Sequence, residues 1–102
     1  MRRVRSRQFE ESVRIEVEGD LDVVAAHDLR QALGTALRTA TGTIVFDFSS
    51  VTSADADGIS ALTWCSDRAV EARRRLMWSR CSQPLRRDLH TATAGRMQAR
   101  GS

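Results

Sequence analysis

Two aspartates separated by one residue, Asp55 and Asp57, follow an apolar run and precede Gly58. A helix is predicted to begin within this turn, and the first turn of a helix suits a carboxylate or a phosphate because its backbone N–H groups are free. Two carboxylates at this spacing can also form an acid–base pair or bind a divalent cation. The sequence places no histidine or serine nucleophile beside them and has no glycine-rich phosphate loop. The pattern therefore argues against an enzyme.

A strand and a helix must position this turn, and the hydrophobic pattern predicts both. Residues 44–48 are nearly all apolar, which is typical of a strand buried on both faces. After the turn, apolar and small residues recur at helical spacing. The predicted inner face of this helix consists of Ile59, Leu62, Ser66, Ala69 and Val70.

A second turn of similar composition lies earlier in the chain. Residues 13–18 alternate between apolar and charged types, which predicts a strand with one wet face. Gly19 and Asp20 open the turn, and Asp22 is a candidate N-cap or first-turn acid of the following helix. Apolar residues at helical spacing carry that helix to about residue 40, where Thr41 and Gly42 end it.

The remaining elements are less strongly patterned. Residues 2–7 are predicted to be frayed or to form an edge strand, and residues 76–78 to form another inner strand. Ser82 and Pro84 open a final helix that carries Leu85 and Leu89.

Strands that alternate with helices predict an α/β domain, with helices packed on a mixed, mostly parallel sheet of four to five strands. Right-handed crossovers would bring the Asp20–Asp22 and Asp55–Asp57 turns to the same end of that sheet. At 102 residues the chain is expected to form a single domain over residues 9–95. Residues 1–8 would be a flexible basic N-terminus or edge strand, and residues 96–102 a tail.

Composition excludes several classes of function. Hydrophobic residues make up 41% of the chain and charged residues 28%, which indicates a globular protein. No apolar run approaches the roughly 20 residues of a membrane span, and no apolar segment follows the N-terminal arginines. We therefore expect a cytoplasmic protein without membrane insertion.

Charge and metal-ligand types argue against nucleic-acid and metal binding. Both turns lie within residues 11–70, where acids outnumber arginines, whereas the excess of arginine is at the two ends of the chain. The arginines at 73–75, 86 and 87 are interpreted as a solvated helix end and face. Cys65, Cys81, His27 and His90 are not spaced as a zinc site, so no metal or other cofactor is expected. Buried free thiols are expected, and a redox-active pair would require disulfide reach.

The two turns together resemble those of a STAS domain of the bacterial anti-sigma factor antagonist type. The family pattern at the later turn is Asp-Ser-Ser-Gly after an apolar strand, where this chain has Asp55, Ala56, Asp57 and Gly58. The family's earlier Gly-acid-Leu/Ile-Asp turn is matched by residues 19–22. The resemblance covers roughly residues 9–95.

The resemblance implies a regulatory binding module whose partner is an anti-sigma factor, a serine-kinase-like ATPase, without direct contact to nucleic acid. Its partner-binding residues would be Asp20, Asp22, Asp55, Ala56, Asp57 and Gly58. In the family the second serine is phosphorylated to block capture of the anti-sigma factor, and Asp57 stands at that position. We expect a monomer or weak dimer that forms 1:1 complexes and is not switched by phosphorylation at residue 57.

Several interpretations stay open at the level of sequence. Gly58 fits either tight packing against a strand or close approach by a partner backbone. The hydroxyls of Thr52, Ser53 and Ser60 do not align with the family's phosphoacceptor. Trp64 and Trp78 are expected to lie in the core or half in it, although exposure of Trp64 beside the turn would make it an interface anchor. Related small STAS domains bind ATPase subunits of lipid transporters, so an accessory subunit of a lipid or solute transporter is the alternative function.

Overall fold

The computed structural model describes residues 4–39 and 41–91 as four strands and three helices. In chain order these are β1 (Val4–Phe9), β2 (Ser12–Leu21), α1 (Val23–Thr39), β3 (Ile44–Ala54), α2 (Ala56–Glu71), β4 (Leu76–Cys81) and α3 over residues 83–91. Residue 40 and the predicted tail, residues 96–102, lie outside the described residues.

The strands form one sheet in the order β1-β2-β3-β4. β1 and β2 form an antiparallel hairpin, whereas β2, β3 and β4 run parallel. The predicted α/β fold with a mixed, mostly parallel sheet is therefore confirmed, with four strands among the described residues. β1 is an edge strand. For residues 1–8 the sequence had allowed either a flexible segment or an edge strand.

One face of this sheet carries the core. Along β2 and β3 alternate side chains are buried, and they form a single cluster with residues of the helices. Phe46 and Phe48 of β3, Leu29 and Leu33 of α1, and Leu85 of α3 have no exposed surface. Burial of each such side chain stabilises the fold by about 1.5–3 kcal/mol. The same cluster includes Leu62 of α2, so all three helices are fixed to the sheet by apolar contacts.

Three sequence predictions about burial are wrong. β3 is not buried on both faces, because Val45 and Asp47 alternate with its buried residues and are only half-buried on the opposite face. β4 is not an inner strand but the second edge, with Met77 and Trp78 exposed. Val70, assigned to the inner face of α2, is 76% exposed. The two strand errors share a cause: the described helices pack against one side of a four-stranded sheet, so its other side and its edges face solvent. Val70 lies in α2 outside the helix's buried face.

Candidate functional site

The two aspartate-containing turns lie side by side, as the sequence predicts. In the parallel ladder of β2 and β3, Asp20 is paired with Ser53 and Leu21 with Ala54. The backbone N–H of Asp55 donates to the carbonyl oxygen of Leu21 at 3.3 Å. The starts of α1 and α2 therefore share one end of the sheet.

The earlier predicted turn, residues 19–22, is mostly strand because β2 continues to Leu21, and a left-handed residue shapes this end of β2. Gly19 has a φ of 80°, a conformation that residues with a Cβ rarely adopt, and the β2–β3 register shifts between Gly19 and Asp20. The exposed Asp20 carboxylate accepts hydrogen bonds from the hydroxyls of Thr52 at 2.8 Å and Ser53 at 2.9 Å. These two hydroxyls therefore cross-link the turn to β3.

Asp22 and Asp55 cap the two helices. The N–H of Ala25 donates to Asp22 Oδ1 at 3.0 Å, and the N–H of Gly58 donates to Asp55 Oδ1 at 2.9 Å. Asp55 has the extended backbone that an N-cap requires, with φ −91° and ψ −173°. Each cap is worth about 1 kcal/mol, so both aspartates have a structural role at this end of the molecule.

Ala56 and Asp57 occupy the first turn of α2 and are both exposed. None of the ion pairs formed within residues 4–39 and 41–91 includes Asp57. Its carboxylate adds a permanent negative charge where the helix dipole favours one, by about 0.3–1 kcal/mol. Residue 57 therefore carries a negative charge at the surface and has no hydroxyl that could be phosphorylated.

Gly58 is buried against the end of β2. A Cβ at this position would collide with the carbonyl oxygen of Leu21 and lie 2.8 Å from Leu21 Cγ. Tight packing against a strand, one of the two interpretations left open by the sequence, is therefore observed. Contact between Gly58 and a partner stays a prediction.

α3 makes a contribution that the sequence did not predict. The backbone N–H of Ala54, directly before the Asp55 cap, donates to Asp88 Oδ2 at 2.9 Å. Asp88 is half-buried, and Ser82 starts its helix by accepting the Leu85 N–H at 3.2 Å. No local pattern in the sequence signals this long-range bond, because it joins residues from β3 and α3.

Trp64 lies at the seam between α1 and α2 and is 38% exposed, which is closer to the expected half-core placement than to the core. The guanidinium of Arg30, from α1, lies 5.9 Å from the centre of the indole ring, and that of Arg68, from α2, lies 5.7 Å from it. These distances fit cation–π contacts.

The remaining candidates lie outside the two aspartate-containing segments. Cys65 is buried, which raises the pKa of its thiol to about 12, and burial also raises the pKa of the half-buried Cys81 thiol. Both cysteines are free. His27 and His90 are exposed. Within the described ranges, no three histidine, cysteine, aspartate or glutamate side chains are grouped to hold a metal ion.

Arginine at the end of α2 has a structural use. Arg74 donates to the carbonyl oxygens of Gly42 at 2.5 Å and Leu37 at 3.5 Å, where α1 ends. This arginine therefore links the C-terminal end of α2 to the C-terminal end of α1.

No helix among the described residues is both long and apolar enough to span a membrane.

Comparisons with known proteins agree with this architecture. A family model described as Mlab, STAS domain, matches residues 4–99. The phosphorylated form of the Bacillus cell fate determinant SpoIIAA is similar in structure, with a TM-score of 0.70, 21% identity, and 90% of this chain and 85% of that chain covered. An anti-sigma factor antagonist from Mycobacterium paratuberculosis has a TM-score of 0.69 at 19% identity, with 92% and 80% covered.

A part of a larger protein is also similar. Mglu has a TM-score of 0.68 at 21% identity, with 78% of this chain covered, but the chain spans only 20% of the Mglu chain. No curated protein sequence matches the chain significantly. At these identities the solved structures show a shared fold.

The sheet order, the helices on one face and the paired helix starts define a STAS-type α/β domain. Because the family model spans nearly the whole sequence, the chain belongs to the STAS domain family. The resemblance inferred from the two turns is thereby confirmed at the level of the family.

Proposed function

We propose that this STAS domain is a non-enzymatic regulatory module that binds an anti-sigma factor of the serine-kinase-like ATPase type. The binding surface, here called the rim, consists of Asp20, Asp22, Asp55, Ala56, Asp57 and Gly58. The observation that carries the proposal is the exposed Asp57 in the first turn of α2, at the position of the family's phosphoacceptor serine.

The geometry of the rim supports a docking role. Its two turns are joined by the Asp55–Leu21 backbone hydrogen bond and by the hydroxyl bonds to Asp20. A partner therefore meets a preorganised surface, and little conformational entropy is lost there on binding. Fold similarity to an anti-sigma factor antagonist is consistent with such a partner.

Asp57 would remove the phosphorylation switch. A phosphoserine carries a charge of about −1.5 to −2 and three acceptor oxygens, whereas aspartate carries about −1 and is not removed by a phosphatase. The domain would then be held in one state. That state either resembles the phosphorylated, non-capturing form or is suited to a partner that accepts an acid at this position.

A second candidate function is that of an accessory subunit that binds the ATPase of a lipid or solute transporter. The matching family model is named Mlab, STAS domain, and not after the anti-sigma factor antagonists, which keeps this alternative in place. A neighbouring gene for a kinase-like ATPase or a sigma factor favours the first function, and neighbouring transporter genes favour the second. In both cases the domain would act in the cytoplasm, as a monomer or weak dimer in 1:1 complexes.

Parallel capture from the native cytosol tests the proposal. Wild type, Asp57→Ser and Asp57→Ala serve as baits, and bound proteins are identified by mass spectrometry. A kinase-like anti-sigma factor captured only by the two variants indicates a domain locked off by Asp57. Equal capture by wild type indicates an antagonist that tolerates the acid. Capture of a transporter ATPase in place of an anti-sigma factor would overturn the first function in favour of the second.

A further inference from the structure

The seam between α1 and α2 carries a cationic patch that the rim does not include. It consists of Trp64, Arg30 and Arg68. Arg68 already has a carboxylate partner, because its Nη1 lies 3.1 Å from Glu71 Oε2. Arg30 has none among the described residues, and its Nε is buried without a hydrogen-bond partner. The patch thus contains a guanidinium whose donors are not used within the described fold.

The position of the patch relative to Asp57 is set by the helix. Trp64 follows Asp57 by seven residues, which is two turns of α2, and so lies on the same face about 10 Å further along the axis. The carboxylate of Asp57 at the rim is therefore followed, two turns along α2, by the guanidinium groups beside Trp64, of which Arg68 is paired with Glu71 and Arg30 of α1 is not.

The second tryptophan, Trp78, is equally exposed but has different ring contacts. Trp78 is exposed to nearly the same extent, 37%, but its ring packs edge-on against Phe46 and Phe48. The cation–π contacts found among the described residues involve Trp64 and not Trp78. An indole flanked by guanidinium groups is the composition typical of interface hot spots, where tryptophan and arginine are enriched.

We propose that Trp64, Arg30 and Arg68 form a second docking point, which takes a carboxylate-bearing segment of the partner protein. The partner's acidic side chain pairs with the Arg30 guanidinium, and an adjacent apolar side chain covers the indole. Since Asp57 is negative, the partner presents a basic group to the rim and an acidic group two helical turns away. This polarity fixes the orientation of the complex, because the reversed orientation places like charges together. The identity of the partner rests on the proposed function, but the chemistry of the patch does not.

The patch is tested first without any protein partner. Isotope-labelled full-length protein is titrated with hexaglutamate, with hexalysine as the control peptide, and the indole N–H signals of Trp64 and Trp78 are followed by NMR. We expect hexaglutamate to shift the Trp64 signal and leave Trp78 in place. Arg30→Gln should abolish the shift, whereas Arg87→Gln, an exposed neutralisation on α3, should leave it unchanged. No Trp64 shift, equal shifts of both tryptophans, or a shift that survives Arg30→Gln would overturn the proposal.

A second arm uses a purified kinase-like anti-sigma factor encoded in the same genome. Trp64→Ala and Arg30→Gln should each weaken its binding about tenfold or more, as expected for hot-spot residues. If a rim variant loses binding while Trp64→Ala and Arg30→Gln both retain it, the proposed function stays intact and the second docking point is contradicted. If no anti-sigma factor binds wild type, Asp57→Ser or Asp57→Ala, the proposed function fails and the peptide titration still decides the chemistry of the patch.

Discussion

The Cα of Gly58 lies directly against the carbonyl group of Leu21, so the first turn of α2 rests on the end of β2. This contact sets the height of the helix start above the sheet. It also explains why the chain places a glycine, an unfavourable residue within helices, at the fourth position of the Asp-x-Asp-Gly motif. The position of Asp57, one residue earlier, depends on it.

Gly58→Ala should destabilise the protein, because the added Cβ collides with the Leu21 backbone and not with the mobile end of a side chain. We expect a loss of about 1–3 kcal/mol, typical of overpacking. Urea denaturation followed by circular dichroism measures it. Gly34→Ala in α1 is the matched control, since a Cβ there meets only Arg38 Nη1 at 3.6 Å. That control should be neutral or slightly stabilising. Equal stability of the Gly58 variant and wild type would refute the close contact.

Asp47 should make stability depend on pH in the acid range. Burial alone would raise the pKa of this carboxyl, but hydrogen bonds from the Ser49 hydroxyl and N–H and the pairing with Arg14 lower it to about 2. A pKa below the unfolded value of 3.8 contributes stability above that value, and the contribution is lost as the pH falls towards about 2. The side chain of Asp47 is only 14% exposed, while that of Arg14 is 35% exposed. Allowing for screening around Arg14, the contribution near neutral pH is about 1–2 kcal/mol.

The free energy of unfolding of wild type and Asp47→Asn, measured across this range, tests the assignment. The variant should be less stable at about pH 7, and the difference should shrink as the pH falls from about 5 to 2. Asp67→Asn, a neutralisation on the exposed face of α2, is the control for net charge. If the difference in the free energy of unfolding stayed constant as the pH fell to about 2, Asp47 would not be the source of the pH dependence.

Asp88 should hold the β3–α2 turn through its bond to the Ala54 N–H. In Asp88→Ala we expect faster hydrogen exchange of the Ala54 amide, and a smaller change in Asp88→Asn, which keeps an acceptor oxygen. Arg87→Ala, on the exposed side of α3, serves as the control. Unchanged Ala54 exchange in the alanine variant would mean that α3 does not support the rim.

Sequence patterns were sufficient for the parts of the fold that local rules determine. The 3.6-residue period identified α1, the aspartate caps marked both helix starts, and the alternation of strands and helices predicted that the two turns would be neighbours. Local patterns also placed Asp57 in the first turn of α2. Its equivalence to the phosphoacceptor comes from the resemblance to the family and stays a prediction.

The errors concern residues whose environment is set by distant parts of the chain. An apolar run such as residues 76–78 looks the same in an inner strand and at an edge, and only the final strand order makes β4 an edge. Val45 and Asp47 face the uncovered side of the sheet because the described helices pack on the other side. The Asp88–Ala54 bond and the Arg30–Trp64 contact join residues that are far apart in the sequence, and no local spacing encodes them.

We propose that residue 57 no longer acts as a phosphorylation switch. This loss of switching is tested by measuring phosphate incorporation and complex formation with each kinase-like anti-sigma factor of the same genome, with and without ATP. We predict that wild type incorporates no phosphate at this turn and that ATP turnover does not release it from any complex it forms. Asp57→Ser should be phosphorylated and then lose binding, whereas Asp57→Ala should bind regardless of phosphorylation. Phosphorylation of wild type at Thr52, Ser53 or Ser60 with loss of binding, or no phosphorylation of Asp57→Ser by any of these kinases, would contradict a lost switch at residue 57.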